Sequence, residues 1–373
     1  MTVGLLAALT DEQEMLLDAS TRFMEATVPL SAVRAAADGA DRAGGSYRAA
    51  AAELGWFGLL VDEAHGGGSV SGNGVMDPAL IAAERGARLQ PGPYTGHCVV
   101  VDALLHAGSD IHRALLADLI TGAVWATSAF ASEASCRLRA LGDGLRLDGV
   151  IEPIADARDC SHLLVTARGP EGLTQVLVPL GTPGVTVRAI EGLDVSRAWY
   201  GVDLADVAVG TGDLVGAPGA VTEAQVARQA HLGAVLEAAD AVGAMHANFA
   251  LAVDYAKDRI AFGRPIGSFQ AIKHLLADTS LWLEMAKGIV ASAASALGTG
   301  APDGPELAHA AKAFVAERSI ELAHNCFQVF GGIGFTWEHD QHLYLRRLSA
   351  DAVSFGSARC HRSQLLDVVG VGR

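Results

Sequence analysis

The residues best suited to chemistry lie in the last third of the chain. Arg259-Ile-Ala-Phe262-Gly263-Arg264 closes a long helical pattern and is followed by Gln270. A cation at a helix C-terminus is stabilised by the helix dipole, and the planar fork of an arginine matches the oxygens of a pyrophosphate. Further on comes Gln328-Val-Phe-Gly331-Gly332-Ile-Gly334. Glycines let a backbone approach a phosphate or an adenine closely, and the amides of Gln270 and Gln328 can donate to and accept from the same ligand. Taken singly, Arg259 reads as a solvated charge at a helix end and the glycines as a helix stop. As an ordered set the two segments read as a cradle for a nucleotide cofactor. Acid–base chemistry has fewer candidates. Glu237 and Asp240 lie four and seven residues beyond Gly233 and share roughly its helix face. Either could take up a proton, and either could equally cap buried polar groups or pair across a subunit contact. His246, His274, His324 and His361 show no His-Glu-x-x-His or other metal-ligand spacing and read as polar interface residues.

What must position these groups is a chain of 373 residues, long enough for two or three structural units. From Thr10 to about Leu119 the pattern is helical. A Thr10/Gln13 capping box opens it, and Met15, Leu16, Phe23 and Met24 recur at three- and four-residue spacing. An alanine-rich helix covers Tyr47–Gly55, and breaks fall at Gly66–Gly68 and Pro91–Pro93. From about Ala123 to Asp213 short β-rich runs (Leu145–Leu147, Leu163–Thr166, Gln175–Val178, Val185–Ala189) predict a compact antiparallel sheet. Helix returns over Thr222–Asp258, Ser268–Leu297, Pro305–Phe330 and His342–Asp351, with no repeat of solenoid period. The expected fold is therefore α+β: an N-terminal helical domain over 1–120, a middle antiparallel β domain over 121–220 and a C-terminal helical bundle over 221–373.

Half the residues are apolar and 18% are charged, yet no apolar run reaches the roughly 18 residues of a membrane span. A net charge of −15 without a concentrated basic face argues against nucleic acid. The five cysteines are scattered, odd in number and without a Cys-x-x-Cys, so they read as small buried hydrophobes. With no basic flank and apolar stretch at the start, the expected location is cytoplasmic.

The segment Tyr255-Ala-Lys-Asp-Arg259-Ile-Ala-Phe262-Gly263-Arg264-Pro-Ile-Gly267-Ser-Phe269-Gln270-Ala-Ile-Lys-His274-Leu-Leu-Ala-Asp278 and the Gln328–Thr336 segment resemble signatures of the acyl-CoA dehydrogenases, flavin enzymes that desaturate acyl-CoA thioesters. Leu54-Gly-Trp-Phe-Gly-Leu-Leu-Val with Glu63 and Gly66-Gly67 extends the likeness to about residues 9–370. The resemblance implies FAD lying extended between subunits. The middle and C-terminal domains of one subunit hold the flavin ring, while an arm from a neighbour (here Arg259, Phe262, Gln270, Gln328, Gly331 and Gly332) reaches the phosphates and adenosine. A Glu removes the α proton of the acyl-CoA, and the flavin takes the β hydride.

Three departures from the family pattern agree with one another. The usual base lies in a Tyr-Glu-Gly-Thr segment shortly after an Arg-Asp pair. The matching stretch here is Arg346-Arg347 followed by Ser354-Phe355-Gly356-Ser357, with Arg362 in register, so Phe355 stands at the base. The position used by other members, on the long helix, is Gly233. Neither accepts a proton. The Thr-Glu-Pro-x-x-Gly-Ser-Asp loop becomes Ala126-Thr-Ser-Ala-Phe130-Ala-Ser-Glu133-Ala-Ser, and the Trp-Ile-Thr/Ser segment facing the flavin becomes Pro153-Ile154-Ala155. The ring side is altered while the arm is intact.

The chain thus resembles the non-catalytic-type subunit of actinobacterial heterotetrameric acyl-CoA dehydrogenases of steroid side-chain degradation. The resemblance implies an α2β2 assembly with a homologous subunit that supplies the Glu, an acyl-CoA substrate such as a steroid side-chain thioester, and electron-transfer flavoprotein as acceptor. Two alternatives stand beside it: a self-sufficient homotetramer with Glu237 or Asp240 as base, and a flavin-free scaffold that binds acyl-CoA or a protein.

Overall fold

The computed structural model describes residues 3–6, 8–37, 45–128, 135–142 and 144–370, without the side chains of 220 and 221. The Thr10 hydroxyl accepts from the Gln13 N–H at 3.2 Å while the Gln13 amide oxygen accepts from the Thr10 N–H at 3.1 Å, and this reciprocal cap opens α1 (Asp11–Thr27). Its inward face is Gln13, Leu16, Leu17, Ser20 and Met24. Met15, expected on the periodic face, falls off that stripe and is 73% exposed. There follow α2 (Leu30–Ala37), α3 (Gly45–Glu53), α4 (Met76–Ala87), α5 (Tyr94–Ala107) and α6 (Arg113–Ile120).

The chain then turns to strand. β1 (Ala126–Ser128), β2 (Cys136–Leu141), β3 (Gly144–Ala155), β4 (His162–Gly169), β5 (Gly172–Pro179), β6 (Val185–Ile190), β7 (Trp199–Val209) and β8 (Leu214–Val215) form one sheet in the order β6-β7-β3-β2-β4-β5-β8, with β1 beside β4. The sheet is not wholly antiparallel, because β1 and β2 both meet β4 in parallel. Leu147, Ile151, Ile154, Val165, Val178, Val202 and Val207 point into its core. A second face, with Leu164 and Leu177, packs on α5 and α6 through Val100, Val101 and Leu119.

The last unit is built on α7 (Ala220–Asp258), with α8 (Gln270–Thr299), α9 (Gly304–Phe330), α10 (Gln341–Asp351) and α11 (Ala358–Val368) packed around it. α4 crosses α7 almost backbone to backbone. A Cβ on Gly86 would lie 1.9 Å from the Asp240 carbonyl oxygen, and one on Gly243 1.8 Å from that of Ala83. Alanines dominate this seam because only small side chains allow such an approach. Between α7 and α8, the stretch expected as a mere break is a hairpin of β9 (Ile260–Ala261) and β10 (Arg264–Pro265). Its two-residue turn is Phe262-Gly263, both at positive φ (53° and 80°), as such tight hairpins require. No helix among the described residues is long and apolar enough to cross a membrane.

Candidate functional site

A cavity of about 670 Å3 opens where the sheet, the start of α5, α7 and the segment after α10 meet. Pro153, Ile154 and Ala155 of β3 form one wall. Their position is fixed by Asp156, whose carboxylate accepts from the Gly92 and Ala198 N–H groups at 3.0 Å each. Thr127 and Ser128 line a neighbouring wall, while Phe130 and Glu133 of the following loop lie outside the described residues. Opposite stand Ser354 and Phe355.

Phe355 and Gly233, identified separately as the two family base positions, prove to be in contact. A Cβ on Gly233 would lie 2.2 Å from the Phe355 ring. One apolar ring therefore fills the volume that a carboxylate from either position would need. Phe355 sits at φ 53° and is followed by Gly356 at φ 103°, a bend that turns the ring inward.

Beneath the cavity lies a buried charge network joining α7, α9, α10 and the segment before β7. Arg347, completely buried, donates to both Asp240 oxygens (2.9 and 3.0 Å), to the Ser196 hydroxyl (2.8 Å) and to the Gln90 carbonyl (3.2 Å). Arg197 donates to Asp351 at 2.8 Å and lies 3.3 Å from Asp240. Lys312 donates to the Asp351 carbonyl oxygen. Burial disfavours ionised Asp240, but the Arg347 and Arg197 guanidiniums and the bonds from Arg347 outweigh it and hold the carboxyl well below its ordinary range. An acid held in this way is a poor proton acceptor at neutral pH. Glu237 differs. It lines the cavity, its nearest cation is Arg197 at 3.6 Å, and among the described residues no hydrogen bond reaches it.

The second cluster lies at the far end of α7. Arg259 caps the helix, Gln270 begins α8, and Gln328 and Gly331 end α9. Antiparallel packing brings these ends together, with the Tyr255 ring 5.1 Å from that of Phe330. Arg259, Phe262, Gln270, Gln328 and Gly332 are exposed, Phe262 to 95% at the hairpin tip, and Gly331 is half-buried. Gly331 adopts φ 62°, ψ −138°, a conformation for glycine alone, and the space where a Cβ on Gly331 or Gly332 would stand is empty. An exposed guanidinium, two amides and an open glycine backbone fit the phosphate and adenosine end of a dinucleotide. The cavity fits a flavin ring less well, since its facing wall offers Pro153 and Ala155 in place of an aromatic face and a hydroxyl. Arg259 lies 26 residues beyond Gly233, so at 1.5 Å per residue the clusters are about 39 Å apart. That exceeds an extended dinucleotide, so one such molecule could not span both clusters.

Several site residues gave no signal in the sequence. Arg197, Asp351 and Lys312 follow no motif, and Arg347 stood out only as the replacement for the Asp of the family's Arg-Asp pair. A buried imidazole chain was missed too. His361 Nε2 meets the Phe355 carbonyl oxygen at 2.8 Å, His361 Nδ1 meets His309 Nδ1 at 2.9 Å, and His309 Nε2 meets His231 Nε2 at 3.2 Å. The carbonyl can only accept, so His361 carries its proton on Nε2, His309 on Nδ1 and His231 on Nε2. All three are neutral, with burial pushing His231 and His361 down to about 4.

Residues 219–370 match the family described as acyl-CoA dehydrogenase, C-terminal domain, and residues 10–123 match acyl-CoA dehydrogenase, N-terminal domain. The chain is 33% identical over 307 residues to the acyl-CoA dehydrogenase FadE34 of Mycobacterium tuberculosis, covering 79% of this chain but 38% of that protein. It is 29% identical over 354 residues to the acyl-CoA dehydrogenase IpdE2 of Mycolicibacterium smegmatis, covering 94% of this chain and 96% of the relative. Thus it spans under half of FadE34 and nearly all of IpdE2. Among solved structures it is similar to a variant of the Tcur3481–Tcur3483 steroid ACAD, with a TM-score of 0.86, 25% identity, and coverage of 100% of this chain and 99% of that one.

Proposed function

Because this chain belongs to the acyl-CoA dehydrogenase family, we propose that it acts in an FAD-dependent α,β-desaturation of an acyl-CoA as the subunit that completes the FAD site of a homologous, Glu-bearing partner. The observation that carries this reading is the contrast between the two ends of α7. At one end the Phe355 ring covers Gly233. At the other, Arg259 and the Gly331-Gly332 backbone stand open.

In the assembly Arg259 would lie against the pyrophosphate of the partner's FAD. Gln270 and Gln328 would bond the adenosine half, and Gly331-Gly332 would let the backbone approach it. The bound flavin supplies hydride acceptance, and the partner's Glu the proton acceptance. The electrons would pass to an electron-transfer flavoprotein. The likeness to a steroid ACAD supports a bulky acyl group as substrate.

The test is to produce the chain with and without a homologous, Glu-bearing subunit, and to count flavin against protein. About one FAD per two chains in an α2β2 complex is expected, with activity only there, because only one of the two site types is intact. A preparation of this chain alone that reduces its flavin with an acyl-CoA would overturn the reading, as would four equivalent flavins per tetramer.

A further inference from the structure

The ring-side cavity remains open although its walls suit a flavin poorly, and one buried group in it lacks a hydrogen-bond partner. Glu237 is 5% exposed and lines the cavity, and no donor among the described residues reaches its carboxylate. Its neighbours are differently placed, since Asp240 and Asp351 both accept from guanidinium groups. Around it four acids (Asp194, Glu237, Asp240, Asp351) face four bases (Arg85, Arg197, Lys312, Arg347), and all four bases already donate to other partners. Burial pushes the Asp351 carboxyl well above its ordinary range, so the cluster carries no excess of negative charge. What Glu237 lacks is a hydrogen to accept, not a counter-charge. The cavity around it is largely apolar, through Tyr94, Ile154, Leu193, Trp199, Val353 and Phe355.

We propose that this cavity is a second ligand site, distinct from the FAD site the chain completes on its partner, and that it takes an apolar acyl group carrying a neutral hydroxyl which donates to Glu237. The acyl-CoA class of ligand rests on the reading above, whereas the hydroxyl follows from the cavity itself. An ammonium donor would add positive charge to a cluster that has no negative excess. A purely apolar acyl group would strip water from a buried carboxylate and leave it bare, the situation in which sites discriminate most strongly against a ligand lacking the matching polar group. Loss of one such bond with the acceptor left unsatisfied corresponds to about ten- to a hundredfold in affinity.

The experiment is calorimetric titration of the full-length chain with dodecanoyl-CoA and with 12-hydroxydodecanoyl-CoA, whose flexible chain lets the hydroxyl find the carboxylate. The hydroxylated ligand should bind about ten- to a hundredfold tighter. Glu237→Gln, nearly isosteric, should shrink that preference severalfold, and Glu237→Leu should abolish it while dodecanoyl-CoA still binds. Equal affinities in the native protein, no binding of either ligand, or an unchanged preference in Glu237→Gln would each overturn the proposal. The native-protein comparison alone decides the matter if a variant does not fold. Because the titration needs neither partner nor flavin, it can succeed or fail independently of the FAD count.

Discussion

Glu237 and Asp240 lie one turn apart on the same helix and have different environments: Asp240 is gripped through both oxygens by Arg347, while Glu237 accepts no hydrogen bond among the described residues and has Arg197 at 3.6 Å. The sequence placed them on one face but could not separate them, because the deciding arginines arrive from positions far along the chain. The contact of Phe355 with Gly233 was equally hidden. Each could be read as a vacant base position, yet only the fold shows them to be one place. It yields a sharp test. Gly233→Ala gains about 1 kcal/mol of helix propensity but drives a methyl into the Phe355 ring, at a cost of about 1–3 kcal/mol. The single variant should therefore be neutral to destabilised in thermal melts, while in a Phe355→Ala background the same change should stabilise. Additive effects of the two changes would show that the ring does not press on Gly233. In the proposed arm role, Arg259→Ala would remove a charge-assisted contact of about 1.5–3 kcal/mol with a phosphate. It should weaken FAD retention by the purified complex about ten- to a hundredfold, read by equilibrium dialysis, and leave the melting temperature of the isolated chain unchanged, since Arg259 is exposed.

The long helices were legible element by element, because periodicity and breaks are local. α7 was expected from Thr222 to Asp258 and runs from Ala220 to Asp258. The Phe262-Gly263 hairpin was not legible, since two-residue strands carry no period and an aromatic at positive φ contradicts its own preference. The parallel pairing of β1 with β4 was hidden for another reason: β1 has only three residues, and its partner is chosen by the fold. The imidazole chain ties α7, α9 and α11 together through rings that must stay neutral, and so it sets a pH dependence. Burial holds His231 and His361 near 4 in the folded state against about 6.5 unfolded, so the unfolded chain binds more protons in between. Their contribution is complete above pH 6.5 and is lost as pH falls toward 4. His97 and His246, also pushed down to about 4 by burial, act in the same sense. The melting temperature should be flat above about pH 6.5 and decline below it, less steeply in His231→Asn, which removes one titrating ring. A melting temperature that held level down to pH 4.5 would contradict the neutral chain.

Across the whole molecule, the three-part order of helix, sheet and helix was visible from patterning, and the expected charge pattern explains why anionic ligands must be met locally on a chain of net charge −15. What patterning could not supply is distance. Only the single helix α7, with its known rise, puts the arm about 39 Å from the cavity, too far for one dinucleotide to span both. The arm end is also the apolar end, with Ile260, Phe262, Ile333 and Phe335 all exposed. Phe262→Ser should leave the stability of the isolated chain within about 0.5 kcal/mol, while weakening association with the partner at least about tenfold in sedimentation experiments. Unaltered association would remove the hairpin tip from the interface. The ring lodged on Gly233 has a last consequence, for the order in which mutations can act. With phenylalanine at 355, any side chain introduced at 233 collides with it, so a carboxylate at 233 needs the ring to move or change as well. Position 355 is free of that restriction, because the residue beneath it is already the smallest. The two positions are therefore not interchangeable: a larger side chain at 233 calls for a smaller one at 355, whereas 355 can change while 233 stays glycine.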